Sequence, residues 1–292
     1  MTTVLVQVNS TLDGRSAIEC AFLAARQDGG HVVGLYIVLK SETVTAEAML
    51  MSRESLGMPG QDIRAVLDAA EKEEGADTQA ARQLFDEVAT AMQAEIVERP
   101  PNPGRLTACF KVWPEGGPKS IAEQGRVFDL VVVRQPKKDP DRSLRKTLRA
   151  VLFHAGRPVL VAPEKTPSSV GERLLIAWNR SALSARAAAI SRNFFSRAKQ
   201  VGILSVLTEG GSGPTAHDLA DYVAWHGIEA KVIETELGGR RLGDVMLEEA
   251  KAFGADLLVM GAYSQSPFRE SLTGGVTNYI LSHAELPLLL TH

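Results

Sequence analysis

The chain of 292 residues has only two cysteines, Cys20 and Cys109, which supply no disulfide framework and are not spaced as a metal-binding pair. Its six histidines (His31, His154, His217, His226, His283 and His292) form no HExxH and no other ligand spacing, so no metal centre is expected. No apolar run approaches the roughly 18 residues of a membrane-spanning helix. The opening MTTVLVQVNS lacks the basic and long apolar segments of an export signal, so a cytoplasmic protein with no membrane partner is expected. Charge of one sign is also scarce. With 32 basic and 35 acidic residues the net charge is -3, which gives no whole-molecule attraction for nucleic acid. The GxGxxG of dinucleotide enzymes, the GxxxxGK[ST] phosphate loop and the GxSxG nucleophile elbow are all missing. What remains is ordinary globular material, 45% hydrophobic and 23% charged, in a length that suggests two domains with real cores.

The chain repeats itself, and the repeat sets the expected architecture. Val4–Ser10 reads as a buried strand running into a polar turn, and Leu174–Ser181 repeats that pattern 170 residues later. Helical patterns follow, with Ala17, Cys20, Ala21 and Ala24 on one face in the first copy and Ala185, Ala188, Ala189 and Arg192 in the second. Second strands come next, at Val32–Val38 and Val201–Leu207. Further on, Phe128–Val133 resembles Ala255–Met260, and Leu152–Leu160 resembles Ile280–Leu289. Strands of continuous Val, Leu and Ile separated by helices imply a parallel sheet covered on both faces. The expected fold is therefore α/β, with two tandem doubly wound parallel five-stranded sheets flanked by helices. The expected domains are 1–163 and 172–292, joined by the Pro- and Ser-rich APEKTPSSVG of residues 162–171.

The copies differ in length. Asn9 to Asp129 spans 120 residues but Asn179 to Asp256 only 77, so the first copy carries 43 more, most of them in an insertion at about 40–104. Ala81, Leu84, Phe85, Val88, Ala91, Met92 and Ile96 make a long apolar helical face there, and Ile63, Val66, Leu67 and Ala70 a shorter one. Pro100-Pro101-Asn102-Pro103-Gly104 is expected to stop the helix. The insertion reads as an enlarged helical layer on the first sheet. The alternative is a cap or partner-binding arm, for which Met49, Met51 and Met58 would suit an adaptable surface.

In a doubly wound sheet ligands bind beyond the C-terminal ends of the strands. The second copy carries a glycine-bearing loop there, from Met260-Gly261-Ala262-Tyr263-Ser264 to Gly274-Gly275-Val276-Thr277, followed by a helical stretch to about His283. Glycines before a helix N-terminus allow close backbone approach and let exposed N–H groups cradle a phosphate; the alternative is that they serve only turns.

This loop resembles that of the universal stress protein (UspA-like) family, whose nucleotide-binding members show GxxG, nine residues, then Gly-Ser/Thr after the fourth strand. Gly261, Ser264, Gly274 and Gly275 keep that spacing. The wording GAYSQSPFRES…GGVT is also similar to a family branch that writes GAYGHSR-x-RE…GGVT, and Ser282–Leu289 is similar to the family's HAxxPVLV ending. The resemblance covers nearly all of 172–292 and, more loosely, 1–39 and 105–163. It implies strand order 3-2-1-4-5 and a tandem-domain member binding ATP or AMP, with adenine near Ala177 and Val206. Ribose and phosphates would lie at Gly261, Ser264, Gly274, Gly275, Val276 and Thr277, and the residue ending the first strand, here Asn179, would complete the site. Family habit further implies an intramolecular pseudo-dimer through Pro158–Val161 and Pro287–Leu290, with a homodimer also open.

The sequence departs from the family pattern at several places. Asn179, like Asn9 in the first copy, replaces an Asp and loses the charge that would hold Mg²⁺. Ser264 replaces a glycine, and Gly275 replaces the hydroxyl residue that Thr277 is left to supply. In the first copy the aligned positions are Arg134, Lys137, Arg145 and Lys146, so backbone cradling is not expected there. Residues 134–149 instead hold seven basic side chains, either a solvated face or an anion site built from side chains. His154 and His283, at matching places, are expected at helix C-termini. No catalytic residue and no metal ligand is assigned. The expected function is adenine-nucleotide-dependent regulation of an unidentified protein partner in stress response. The alternatives are a nucleotide-free interaction scaffold, with no cofactor at all, and a slow ATPase or autokinase.

Overall fold

The computed structural model describes residues 2–26, 29–39, 60–98, 104–136, 142–207, 212–263 and 275–292. In the first copy the strands are β1 (Thr3–Gln7), β2 (His31–Leu39), β3 (Glu95–Ile96), β4 (Thr107–Gly116), β5 (Leu130–Arg134) and β6 (Val159–Ala162). In the second they are β7 (Arg173–Ala177), β8 (Gln200–Leu207), β9 (Ala230–Glu236), β10 (Leu257–Gly261) and β11 (Leu288–Thr291). Among the described residues the helices are α1 (Arg15–Ala25), α2 (Gly60–Ala91), α3 (Pro118–Gly125), α4 (Arg142–His154), α5 (Ala182–Ser191), α6 (Ala216–Ala224), α7 (Leu242–Phe253) and α8 (Val276–His283).

The expected parallel order is present in both copies. The second reads β9-β8-β7-β10-β11, and the first reads β4-β2-β1-β5-β6 with the two-residue β3 added at its edge. The two tandem parallel sheets meet at the last strands that the resemblance pointed to, so that all eleven strands form one continuous sheet. Its seam is an antiparallel pairing of the two last strands, with Leu288 opposite Val161, Leu289 opposite Leu160 and Leu290 opposite Val159. Both strands are buried and, but for Thr291, apolar, and pairing satisfies backbone groups that would otherwise be orphaned inside the molecule.

Alternation along the strands divides the core in two. Val4, Val6 and Val132 face the layer of α1, α2, α5 and α6, whereas Leu5, Val131 and Val133 face α3, α4, α7 and α8. Cys20 is wholly buried with Ala17, Ala21 and Ala24, and burial pushes its thiol up to about 12. On α5 the buried face is Ser184, Ala187, Ala188 and Ser191; Ala185, Ala189 and Arg192 are exposed, one step round the helix from the expected stripe. An alanine-rich helix gives little contrast with which to phase a face.

Among the described residues the insertion carries one 32-residue helix, α2, which takes in the shorter stretch and most of the longer one. Ala81, Leu84, Phe85 and Val88 are buried as the spacing implies, and Phe85 packs on Phe22 at 5.7 Å and Phe110 at 5.8 Å. Ala91 is exposed, and Ile96 is not helical at all: it sits in β3, 54% exposed. The helix ends before the proline run, because Gln93 turns the chain with φ +59 while the Ala94 N–H bonds the Ala89 carbonyl. Pro100, Pro101, Asn102, Pro103 and the three methionines lie outside the described residues, as do the side chains of Ile63, Val66, Leu67 and Ala70.

Asp129 and Asp256 mark the repeat for a structural reason. Asp129 accepts from the Thr3 N–H and hydroxyl, each at 2.8 Å. Asp256 accepts from the N–H groups of Gly171 (3.0 Å), Glu172 (3.0 Å) and Arg173 (2.8 Å). Each carboxylate pins the chain where it enters the first strand of its copy. No helix among the described residues is long and apolar enough to cross a membrane.

Candidate functional site

A cleft of about 370 Å³ opens at the C-terminal ends of β7, β8 and β10 in the second copy. Six of the residues singled out from sequence line it: Ala177, Asn179, Val206, Gly261, Val276 and Thr277. Gly275 is exposed at the N-terminal end of α8, with φ -78 and ψ 153, and no described side chain caps that helix. Ser264 and Gly274 lie outside the described residues.

The site grows out of the β7–α5 turn. The Trp178 N–H bonds the Leu204 carbonyl at 2.8 Å, and its indole N–H donates to the Pro214 carbonyl at 2.9 Å. Trp178 is therefore packed as a wall of the cleft, 7% exposed, rather than plugging it. Asn179 accepts through Oδ1 from the Ser181 N–H at 3.2 Å and the Ser181 hydroxyl at 2.6 Å. Ser181 in turn caps α5 by accepting from the Ser184 N–H at 3.2 Å. The oxygen standing where the family has a carboxylate thus braces a helix cap.

Gly261 has a second reason to be glycine. A Cβ there would lie 2.7 Å from Leu183 Cβ and 2.8 Å from the Leu183 carbonyl carbon, so the first turn of α5 needs the space. Across the cleft stand Leu242 and Met246 of α7, with Leu204 and Met260 from the strands, all outside the sequence-based expectation. Met246 could have been found from the buried face of amphipathic α7. Arg180 could not, because its place in the lining depends on a left-handed turn, φ +64. Arg180 is the one charged residue among the described lining residues. The Thr215 hydroxyl and N–H hold the nearby Asp218 carboxyl below the usual range, and the positive charges of His217 and Arg180 add to that.

The first copy has a smaller cleft of about 240 Å³ at the corresponding strand ends, lined in part by Asn9, Ser10, Asp77 and Arg134. The expected basic loop over 134–149 is corrected in its second half. Helix α4 already begins at Arg142, so Arg145 and Lys146 lie within a helix and offer no loop backbone to a phosphate. Lys137 and Lys138 lie outside the described residues. His154 and His283 both fall in the last turn of their helices, His283 with Nδ1 2.8 Å from the Tyr279 carbonyl.

Comparison with known proteins agrees with this geometry. The model of the universal stress protein family matches residues 176–292. The match runs from the end of β7 through β11. The whole chain is similar in fold to a universal stress protein from Archaeoglobus fulgidus DSM 4304, at 14% identity and TM-score 0.68, covering 99% of this chain and 97% of that one. It is likewise similar to a universal stress protein candidate from Pseudomonas aeruginosa UCBPP-PA14, at 15% identity and TM-score 0.56, covering 100% and 93%. The universal stress protein fold therefore extends over both copies in tandem. No match is found among curated proteins.

The lining joins apolar walls to a polar end. Ala177, Val206, Leu204 and Met246 give apolar walls for a base, while Gly261, Thr277 and the N–H groups opening α8 give a polar, anion-favouring end. It does not have the chemistry of a protein-held Mg²⁺. No carboxylate occurs among the described lining residues, and Asn179 cannot replace one.

Proposed function

We propose that the second copy binds an adenine nucleotide, AMP or ATP, and that occupancy of the site regulates the chain's interaction with a protein partner in stress response. The observation that carries this reading is the convergence of Ala177, Asn179, Val206, Gly261, Val276 and Thr277 on one cleft of about 370 Å³ beside an uncapped helix N-terminus. In this reading Ala177 and Val206 face the base, and Gly261, Gly275, Val276 and Thr277 bracket the phosphates. The nucleotide is bound without protein-held Mg²⁺ and without turnover. The described lining residues include no His, Asp, Glu, Lys or Cys to act as acid, base or nucleophile.

The test is a thermal melt of the purified chain with millimolar adenosine, AMP or ATP, together with analysis of nucleotide released on denaturation. Ligand at a hundred times Kd stabilises by about 2.7 kcal/mol, a shift of several degrees. A Val206→Trp change, which fills the base end of the cleft, is expected to abolish the shift. No shift with any ligand and no released nucleotide would favour the scaffold reading, to which the engagement of Asn179 Oδ1 with Ser181 lends some weight.

A further inference from the structure

The antiparallel seam carries part of the first copy up to the second copy's cleft. The start of β6 lies opposite the end of β11, which pairs with the end of β10, so the C-terminal end of α4 stands where β10 runs out. There the Phe153 ring packs against Tyr263 at 5.7 Å and against the His292 ring at 4.4 Å. His292 in turn places Nδ1 3.1 Å from the Ala262 carbonyl. Phe153 thus braces the chain just beyond β10 by two routes. Gln135, also of the first copy, donates to the carbonyls of Leu281 at 2.7 Å and Ala284 at 3.0 Å, and so holds the far end of α8.

Tyr263 connects the Phe153 contact to the cleft. Its backbone is left-handed, φ +58, a conformation that a bulky residue keeps only where its surroundings fix it. From there its N–H donates to Thr277 Oγ1 at 3.4 Å and its phenol donates to Asn278 Oδ1 at 2.9 Å, both in the first turn of α8. Thr277 lines the cleft. A hydroxyl oxygen that accepts from a backbone N–H still has its own proton to donate. The Tyr263 N–H therefore orients Thr277 as a donor at the polar end of the cleft, beside the N–H groups that open α8.

We propose that Phe153 of the first copy is a positioning residue for the second copy's site, holding Tyr263 so that the Thr277 hydroxyl is set to donate to a phosphorylated ligand. This rests on the nucleotide reading above. Phe153 does not line the cleft; it acts through Tyr263 and Thr277. A hydrogen bond to a charged phosphate is worth more than one to a neutral group, so the chain of contacts favours nucleotide over nucleoside and leaves the apolar contacts of the base alone. The first copy thereby completes its neighbour's site with a ring placed across the seam.

Calorimetric titration of the full chain with adenosine and AMP tests this. A wild-type chain that binds neither compound sinks the nucleotide reading and this inference with it. Given binding, Thr277→Val is expected to weaken AMP about tenfold and adenosine little. Phe153→Ala is expected to weaken AMP about three- to fivefold, again sparing adenosine, and to cost nothing further when added to Thr277→Val, because both changes remove the same interaction. Binding of adenosine alone, unchanged AMP affinity in either single variant, equal loss for both ligands, or losses that multiply in the double variant each overturn the inference while leaving the nucleoside cleft in place. Should Phe153→Ala prevent folding, Phe153→Leu carries the same comparison, with a smaller loss for AMP expected and the same outcomes against it.

Discussion

Arg134 and Asp13 form an ion pair at 3.3 Å in the first copy, at the two positions where Gly261 and Leu183 touch in the second. One copy closes the gap between its fourth strand and first helix with side chains, the other with backbone. Adding a methyl at Gly261 forces Leu183 and its helix away, so Gly261→Ala is expected to cost about 1–3 kcal/mol in chemical denaturation. Asp13→Ala removes only a pair whose carboxylate is largely exposed, and is expected to cost under about 1 kcal/mol.

Gly275 offers the opposite case. A Cβ there meets nothing within 4 Å, and its extended backbone suits any residue. Gly275→Ser, which restores the family's hydroxyl, is expected to stabilise by a few tenths of a kcal/mol through capping α8. Calorimetric melting without ligand measures that gain, and titration with AMP measures whether the hydroxyl also reaches the phosphate.

The Asp256 carboxylate holds three successive N–H groups at the entry to β7. Asp256→Ala leaves those donors without their acceptor, and a loss of about 2–3 kcal/mol is expected in urea unfolding. Asp129→Ala, which frees the N–H and hydroxyl of Thr3, is expected to cost less.

His31 gives the protein a pH dependence of definite sign. Its Nδ1 lies 2.9 Å from the Thr107 hydroxyl and its Nε2 3.6 Å from Cys109 Sγ. Burial, with a smaller contribution from Lys111, holds its pKa below the ordinary 6.5. The unfolded chain therefore takes up the proton first as pH falls through that value, and stability declines toward the lower folded pKa. His31→Gln is expected to flatten the fall in urea midpoint between about pH 7.5 and about pH 5.5. An equal fall in the variant would assign the dependence to other groups.

Much of this was readable from residues alone, because the signals were local. Unbroken Val and Leu runs at Val4–Val6 and Leu174–Ile176 mark buried strands, and Asp129 and Asp256 mark where each copy begins its fourth strand. Ala177, Asn179, Val206, Gly261, Val276 and Thr277 could be named through the family resemblance of the glycine loop, once hydrophobic periodicity had located the strands that this loop follows. Arg180 and Tyr263 escaped because Arg180 reaches the lining through a left-handed turn and Tyr263 packs on Phe153 of the other copy, an element distant in sequence. The early start of α4 escaped because alignment to a glycine loop implied a loop.

The sequence by itself determined the duplication, a parallel sheet in each copy and the buried faces of most strands, since short-range polarity and propensity govern those; the strand order came from the family resemblance. Family resemblance pointed to a meeting of the two last strands, but only the tertiary structure decided that they pair antiparallel in this register, that eleven strands make one sheet, and that Phe153 of one copy rests on Tyr263 of the other. The physical reason is that a buried apolar edge strand states only that something must cover it, whereas the partner is selected by shape and register across more than a hundred residues of intervening chain.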